Sequence, residues 1–307
     1  MVYHFTNLNS FENIFKSIAK PKGRYLTFWA SRIYEMNDPL EMVLGVPIIK
    51  EAISAFEEGR DIEEKYKLST YQNVVKVVEN TKSLDDSILI KHIGKYQRDP
   101  FILSFCRINE DTINNELPLW TTYGNSGEGI CMGFDEGMFR FKEDADFKYS
   151  AYNIAYLVEN MTERLNNQDT IFQMRTHFQN EYEKYLKIVH AIHSEEDILD
   201  AMRTSIASMA SFVGAFTKVA DYEYENEYRI AIFPKDDIIE QKRVNFRLST
   251  SNNLISYICI PLPIESLKKI IVGPCVSDMT LNNLYEQMKT LGINVKPKKT
   301  DILFRNL

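Results

Sequence analysis

The chain has 307 residues, a formal net charge of −7, 44% hydrophobic residues and 26% charged residues. These values are typical of a globular protein of one large domain or two modest ones, and they exclude a low-complexity or collagen-like chain. The acidic balance argues against a broad electrostatic surface for DNA or RNA. A chain of this length buries a core of its own, so it needs no disulfide or metal to stabilise the fold.

The four cysteines, Cys106, Cys131, Cys259 and Cys275, stand far apart in apolar runs and form no C-x-x-C pair. Such cysteines are typical of buried thiols in a reducing compartment. The first residues lack the pattern of a signal peptide, and no apolar run reaches the roughly 18 residues of a membrane span. We therefore expect a cytoplasmic protein with no membrane partner.

Short strands are interspersed with longer helical blocks along the chain. Strands are predicted, in chain order, at residues 2–6, 24–30, 101–108, 130–134, 228–233, 244–248, 255–260, 269–272 and 293–296. A first helix is predicted to begin near Asn9, which forms a capping-box pattern with Glu12, and a second to begin at Asp38. Further helical patterns cover residues 152–217 and 278–291.

This order of elements predicts an α+β fold, because strands and helices do not alternate as regular βαβ units. We expect a single domain over residues 1–307, with one β-rich core formed by strands from both ends of the chain. The helical blocks near residues 42–98 and 152–217 are then insertions into that core.

The first candidate site residue is His4, which stands in the predicted N-terminal strand Tyr3-His4-Phe5-Thr6. A histidine close to the end of a strand can form a hydrogen bond to a sugar hydroxyl. The alternative is a half-buried histidine whose hydrogen bonds are satisfied within the fold.

A second group of candidates follows in and after the second predicted strand. Trp29 and Tyr34 can stack on a planar ring, and Ser31 and Asn37 can form a polar rim around it. The alternative is a structural one, in which a strand leads into a helix whose N-cap is Asp38.

A glycine-rich stretch at residues 120–130 contains Tyr123 and leads into the next predicted strand. Glycines allow backbone amides to approach a phosphate closely. Neither the Rossmann spacing nor the P-loop spacing is present, however. The better interpretation is a turn that leads into a strand.

Glu225, Glu227 and Arg229 form an E-x-E-x-R pattern directly before an apolar run. Alternation along a strand would place all three side chains on one face, where Arg229 would neutralise the two carboxylates. A carboxylate in this position can accept a hydrogen bond from a ribose 2′-hydroxyl and stabilise an oxocarbenium-like transition state. The alternative is an ion-pair ladder on the surface of an edge strand.

Other catalytic patterns are weak in this sequence. His190 and His193 stand three residues apart in a predicted helix, but a helical metal site needs a second matching motif, which the sequence lacks. No G-x-S-x-G elbow is present either. We therefore expect no metal cofactor.

Five segments resemble, in order, the bacterial family called domain of unknown function 2971. They are VYHFTNLNSFENIF, TFWASRIYEMNDPLE, ILSFCRINEDTINNELPLWTTYGNSGEGICMGFD, YENEYRIAIF and SLKKIIVGP. The opening H-x-T strand and the late E-x-E of that family resemble elements of the ADP-ribosyltransferase superfamily. This resemblance implies a split β-sheet core that holds NAD in a cleft.

The resemblance also implies a role for each matching residue. His4 would contact the ribose, and the backbone of Phe5 would bind the nicotinamide amide, with Thr6 at the polar position after them. Glu227 would be the catalytic glutamate, and Glu225 would help to position the acceptor. The other residues expected at the NAD site are Trp29, Ser31, Tyr34, Tyr123 and Arg229.

The expected function is that of an NAD-dependent ADP-ribosyltransferase or NAD glycohydrolase, and the family resemblance suggests a bacterial toxin or a phage-defence effector. The partners would be NAD and a protein or nucleic-acid acceptor, and the helical insertions would offer a surface to a partner or a second copy. One alternative is a non-catalytic nucleotide-sensing or partner-binding module on the same fold. Another is a nucleic-acid modifier, against which the acidic charge argues.

Overall fold

The computed structural model describes residues 1–16, 18, 25–36, 45–70, 99–108, 117–139, 146–157, 168–235, 243–248 and 253–302. Several parts of the sequence-based prediction lie outside the described residues. They are the polar-rim residue Asn37, the helix start at Asp38, residues 42–44 and 71–98 of the first helical insertion, and residues 158–167 of the second.

Twelve strands and six α-helices are present in the described part of the chain. The strands are β1 (Val2–Thr6), β2 (Tyr25–Arg32), β3 (Phe101–Cys106), β4 (Ile130–Phe134), β5 (Phe147–Asn153), β6 (Ala155–Leu157), β7 (Thr217–Val219), β8 (Glu227–Pro234), β9 (Asn245–Leu248), β10 (Leu254–Pro263), β11 (Leu267–Val272) and β12 (Lys298–Lys299). The helices are α1 (Leu8–Phe15), α2 (Gly45–Glu57), α3 (Leu117–Thr122), α4 (Gln168–His190), α5 (Glu195–Ala215) and α6 (Asp278–Thr290).

Ten of these strands form one mostly antiparallel sheet that divides at β3. One edge of β3 pairs with β8 along its whole length, and β8 pairs in turn with β5. The other edge is shared, because β1 pairs there through Tyr3 with Cys106 and β2 pairs through Ser31 with Ile102. No described strand pairs with residues 103–105 on that edge, and we call this gap the split.

Two arms of the sheet diverge from the split. One arm runs through β1, β4, β11 and β12, and the other runs through β2, β10 and β9. Only β11 and β12 pair in parallel among the described strands of this sheet. A separate two-stranded parallel ladder joins β6 to β7. The molecule is thus a mixed α/β protein whose strands from both ends of the chain meet around β3.

Both faces of the central strands are buried, which explains their nearly continuous apolar sequence. Phe101, Leu103 and Phe105 of β3 pack on one face, in the same apolar cluster as side chains of α1 and α6. Ile102 of β3 and Ala231 of β8 pack on the other face, in the same cluster as side chains of α2, α4 and α5. Most of the described helices therefore cover the sheet on its two sides.

Several secondary-structure predictions need correction. The N-cap of α1 is Asn7, whose Oδ1 atom accepts the Ser10 N–H at 2.7 Å, and not Asn9. The strand predicted at 293–296 is absent, and β12 forms two residues later, where it pairs with β11. The predicted helical block at 152–217 also contains the end of β5, all of β6 and the first residue of β7, because β5 completes the sheet beside the buried strand β8.

A histidine is partly buried between the two long helices that cover the sheet. The ring of His177 in α4 stacks on Phe212 of α5, with centroids 4.0 Å apart and planes 15° apart. Burial, together with the nearby charges of Lys148 and Lys184, lowers the pKa of His177 to about 4, although a bond to the Ser208 backbone opposes this. The folded protein therefore holds this imidazole neutral at mildly acidic pH.

We predict that this histidine makes the fold acid-sensitive. The pKa of this histidine is about 6.5 in the unfolded chain and about 4 in the folded protein. Between these two pH values the unfolded chain binds a proton at this position and the folded protein does not. The free energy of unfolding should therefore fall by about 3 kcal/mol as the pH falls through that window. Urea unfolding at a series of pH values measures this loss. The His177→Phe variant keeps a ring against Phe212 but has no titratable group there, so it should not show this loss of stability. The same pH profile in the variant and the wild type would contradict the prediction.

Candidate functional site

A cavity of about 140 Å³ opens beside the split. Five of the residues that line it were predicted as site residues, and they are His4, Phe5, Tyr123, Glu225 and Glu227. Seven others were not predicted, and they are Tyr3, Met36, Ser104, Phe105, Cys106, Lys218 and Tyr222. His4 and Glu227, which were expected to work together and are 223 positions apart in the sequence, are thus both among the residues that line one cavity.

A cluster of four buried charges adjoins this cavity. Arg229 binds the Glu227 carboxylate with two hydrogen bonds, from Nε to Oε1 at 2.6 Å and from Nη2 to Oε2 at 3.0 Å. Lys218 Nζ donates to Glu225 Oε2 at 2.8 Å and to Glu227 Oε2 at 3.3 Å. Two carboxylates thus face two cations, and none of the four side chains is more than 6% exposed. We call these four residues the charge cluster.

The local backbone explains how Glu225 joins this group. Glu227 and Arg229 share one face of β8, as the alternation predicted, but Glu225 ends a short 3₁₀ helix at residues 220–225 and lies outside the strand. Asn226 adopts a left-handed conformation (φ 41°) that turns the chain into β8. The side-chain amide of Asn226 donates to the Arg107 carbonyl at 2.8 Å, which holds this turn in place.

The alternative considered from the sequence, an ion-pair ladder on the surface of an edge strand, is not observed at these residues. Strand β8 lies between β3 and β5, and Arg229 is fully buried. Burial by itself would raise the pKa of Glu227, but the charges of Arg229 and Lys218 and the hydrogen bonds from Arg229 lower it to about 2. Glu227 is therefore ionised throughout the physiological pH range.

Two partners of Glu227 were missed by the sequence analysis. Lys218 comes from β7, and the only local signal was a lysine within the apolar run SFVGAFTKVA. Burial opposes its charge, yet the carboxylates of Glu227 and Glu225 raise the pKa of Lys218 and keep it protonated. Tyr156 of β6 is the second, and its hydroxyl accepts the Glu227 backbone N–H at 2.8 Å, a contact with no local sequence signal.

Tyr123 donates its hydroxyl proton to Glu225 Oε1 at 2.6 Å. Burial and this hydrogen bond raise the pKa of Tyr123 far above its ordinary value. The phenol therefore stays protonated and serves as a fixed donor beside the cavity.

His4 lies in the split itself. A carbonyl oxygen only accepts, so the 3.0 Å contact between His4 Nδ1 and the Ser104 carbonyl places the imidazole proton on Nδ1. The ring also packs edge-on against Phe28, with centroids 5.2 Å apart. Burial lowers the pKa of His4, so the neutral ring carries its lone pair on Nε2.

Five predicted site residues do not line the cavity. Trp29 packs against Tyr257, Ser31 binds Arg247, and Tyr34 packs against the helical core. Thr6 is buried at the end of β1, opposite Ile130. Arg229 does not line the cavity, but its guanidinium group binds the carboxylate of Glu227, which does. The aromatic residues that do line the cavity are Tyr3, Phe5, Phe105, Tyr123 and Tyr222.

The glycine-rich stretch forms a packed turn and offers no phosphate cradle. The amides of Gly127, Glu128 and Gly129 all donate to backbone carbonyls within residues 120–125. A Cβ atom on Gly129 would lie 2.3 Å from the Thr6 carbonyl oxygen, which explains why glycine is needed there. The interpretation as a turn that leads into a strand is therefore confirmed.

The fold and site define a mixed α/β protein with a divided, mostly antiparallel sheet and a buried charge cluster beside the division. Residues 119–230 match the model of the family described as protein of unknown function (DUF2971). This match supports the resemblance to that family over a segment that includes Tyr123, Lys218, Glu225 and Glu227. No curated protein and no solved structure matches the chain.

Among the residues that the structure describes, no group of three or more histidine, cysteine, aspartate or glutamate side chains is arranged to hold a metal ion. Within the same residues, no helix has both the length and the apolar character needed to cross a bilayer.

We predict that Lys218 is needed to stabilise the charge cluster. Lys218→Met keeps the length of the side chain but removes one of the two positive charges that compensate Glu225 and Glu227. The free energy of unfolding should fall by about 3–5 kcal/mol, as expected when one partner of a buried ion pair is removed. Urea unfolding followed by circular dichroism measures the change.

Lys184→Met is the matched control for this prediction. Lys184 forms an ion pair with Glu181 at 3.8 Å, but its side chain is 67% exposed. Its replacement should therefore change the free energy of unfolding by less than about 1 kcal/mol. Equal losses in the two variants would show that the cluster contributes no more than a surface pair.

Proposed function

We propose that this chain binds NAD beside the split and cleaves the bond between nicotinamide and ribose, as an ADP-ribosyltransferase or an NAD glycohydrolase. One observation supports the proposal most strongly: an ionised carboxylate, Glu227, and a neutral imidazole, His4, line the same cavity. The divided sheet with a histidine in its first strand is also what the resemblance to ADP-ribosyltransferases implies.

The proposed reaction breaks the C1′–N1 bond of the nicotinamide ribose. The electron pair of that bond leaves with nicotinamide, which departs neutral, and positive charge develops on the ribose ring. The Glu227 carboxylate would stabilise this charge and accept a hydrogen bond from the 2′-hydroxyl. A water or an acceptor group then forms the new bond at C1′ and releases its proton to solvent.

The contacts of Glu227 leave room for this role. Arg229 and Lys218 donate three hydrogen bonds to the carboxylate, whereas two carboxylate oxygens offer about four lone-pair sites. His4 Nε2 would accept from a second ribose hydroxyl, since the Nδ1 proton is held by Ser104. The charge cluster would fix the carboxylate before the substrate arrives, so little reorganisation is needed during the reaction.

The cavity has the size of one end of the substrate. Pockets that enclose a drug-sized ligand measure roughly 300–1,000 Å³. A cavity of about 140 Å³ would therefore take the nicotinamide ring and part of its ribose, and the remainder of NAD would extend beyond it. Tyr123 and Tyr222 are aromatic walls against which the nicotinamide ring could pack.

We predict that the wild-type protein releases nicotinamide from NAD and that Glu227→Gln reduces this rate by about a hundredfold or more. The amide removes the negative charge that would stabilise the developing cation. Chromatographic detection of free nicotinamide, with water or candidate protein and nucleic-acid acceptors present, measures the rate. A wild-type protein that neither binds nor consumes NAD under these conditions would overturn the proposal.

Two variants separate loss of catalysis from loss of folding. Glu227→Asp keeps the charge that Arg229 and Lys218 require but withdraws it by one methylene, so it should fold and still react more slowly. Glu57→Gln is the matched control, because Glu57 is also buried but binds Ser69 and Tyr182, away from the cavity. It should retain the wild-type rate per folded molecule.

A second candidate function is that of a nucleotide-binding module without turnover. The observation that favours it is the pairing of both carboxylates with Lys218, Arg229 and Tyr123, which also stabilises the fold. Calorimetric binding of NAD without nicotinamide release, unchanged in Glu227→Asp, would select this function over catalysis.

A further inference from the structure

A group of planar side chains lies outside the cavity, on the arm formed by β2, β10 and β9. Trp29 and Ser31 belong to β2, Tyr257 to β10 and Arg247 to β9. The register pairs Tyr257 with Ser31, and alternation places Trp29 on the same face as Ser31. Neither Trp29 nor Tyr257 is buried, so we call Trp29, Tyr257 and Arg247 the aromatic platform.

The members of the aromatic platform are in contact. The rings of Trp29 and Tyr257 have centroids 4.9 Å apart and planes 39° apart. The guanidinium carbon of Arg247 lies 5.6 Å from the centre of the Trp29 ring. Arg247 Nη2 also donates to the Ser31 hydroxyl at 3.1 Å, which fixes the direction of the guanidinium group.

The Arg247 guanidinium retains hydrogen-bonding capacity. Its Nε–H is buried and has no acceptor among the described residues. Glu35 lies near enough to act on this charge through space, but Glu35 Oε2 accepts from both the N–H and the hydroxyl of Ser256. No ion pair of Arg247 with a described carboxylate is present, so a negative ligand would supply the missing counter-charge.

The aromatic platform also lies close to the cavity along the sheet. Ser31 pairs with Ile102, so an antiparallel continuation would place Trp29 level with Ser104, which lines the cavity. Because β2 leaves β3 at this point, Trp29 lies across the split from Ser104. By the alternation of the paired strands, Trp29 and Glu227 belong to the same face of the sheet.

We propose that the aromatic platform is a nucleotide-binding subsite, in which a base stacks on Trp29 and Tyr257 and a phosphate binds Arg247. Aromatic rings beside an arginine suit this ligand, because every base has a stacking face and every nucleotide carries a negative phosphate. Such a nucleotide has two sources, a free nucleotide such as the adenylate half of a dinucleotide, or a nucleotide of a single-stranded nucleic acid. The subsite goes beyond the proposed activity and does not require bond cleavage.

Tryptophan fluorescence tests this subsite directly. The chain contains two tryptophans, Trp29 and Trp120, and Trp120 is fully buried. Quenching by a stacked base would therefore report on Trp29. We expect AMP, a short single-stranded oligodeoxynucleotide, or both to quench the signal in the wild-type protein and to leave the Trp29→Phe variant unquenched.

Two arginine variants test the phosphate contact. Arg247→Gln should weaken binding by about tenfold or more, because it removes a charge-assisted hydrogen bond. Arg243→Gln removes the same charge, but Arg243 lies over Phe147 and pairs with Asp146, away from the aromatic platform. The Arg243→Gln variant should therefore bind the nucleotide as tightly as the wild type. Equal losses in both variants would indicate net charge alone and would overturn the subsite.

The two ligands distinguish the two sources of the nucleotide. AMP binding as tight as oligonucleotide binding supports a free nucleotide, whereas tighter oligonucleotide binding that falls with added salt supports a nucleic acid. Absence of quenching by both ligands, or equal quenching in Trp29→Phe, overturns the proposal. Because the readout is binding, a failure to release nicotinamide would leave this result unaffected.

Discussion

The structure depends most on the balance of charge around Glu227. A carboxylate that is 3% exposed is tolerated inside a protein only when cations and hydrogen-bond donors surround it. Arg229 comes from the same strand and Lys218 from β7, so compensating the charge of Glu227 brings β7 and β8 together. The same balance keeps Glu227 ionised, which is the state that the proposed chemistry requires.

The split in the sheet gives this cluster a functional setting. If β1 and β2 followed β3 along its whole length, the Ser104 carbonyl would pair with a backbone amide. The divergence of the two strands exposes that carbonyl, and His4 occupies the position of the missing amide. One cavity and one aromatic platform then lie on neighbouring parts of the same divided sheet, and both have the chemistry to bind parts of a nucleotide.

Sequence patterns predicted the parts of this arrangement that depend on neighbouring residues. Alternation placed Glu227 and Arg229 on one face, and apolar β-forming runs located β3 and β4. Contacts that depend on tertiary structure were not predictable: Tyr156 binds Glu227 across 71 residues, and Lys218, although only nine residues away, reaches it from a different strand. Trp29 suited a ring-binding pocket by residue type alone, but the register of β2 with β10 directs it toward Tyr257.

The most direct test is the 15N NMR spectrum of the imidazole nitrogens, recorded with and without NAD. We expect a neutral His4 with its proton on Nδ1, and a change at Nε2 when NAD binds beside the split. His177 of α4, whose ring stacks on Phe212 of α5, should show no change and serves as an internal reference. An Nε2 signal of His4 that stays constant at saturating NAD would contradict the proposed binding of NAD beside His4.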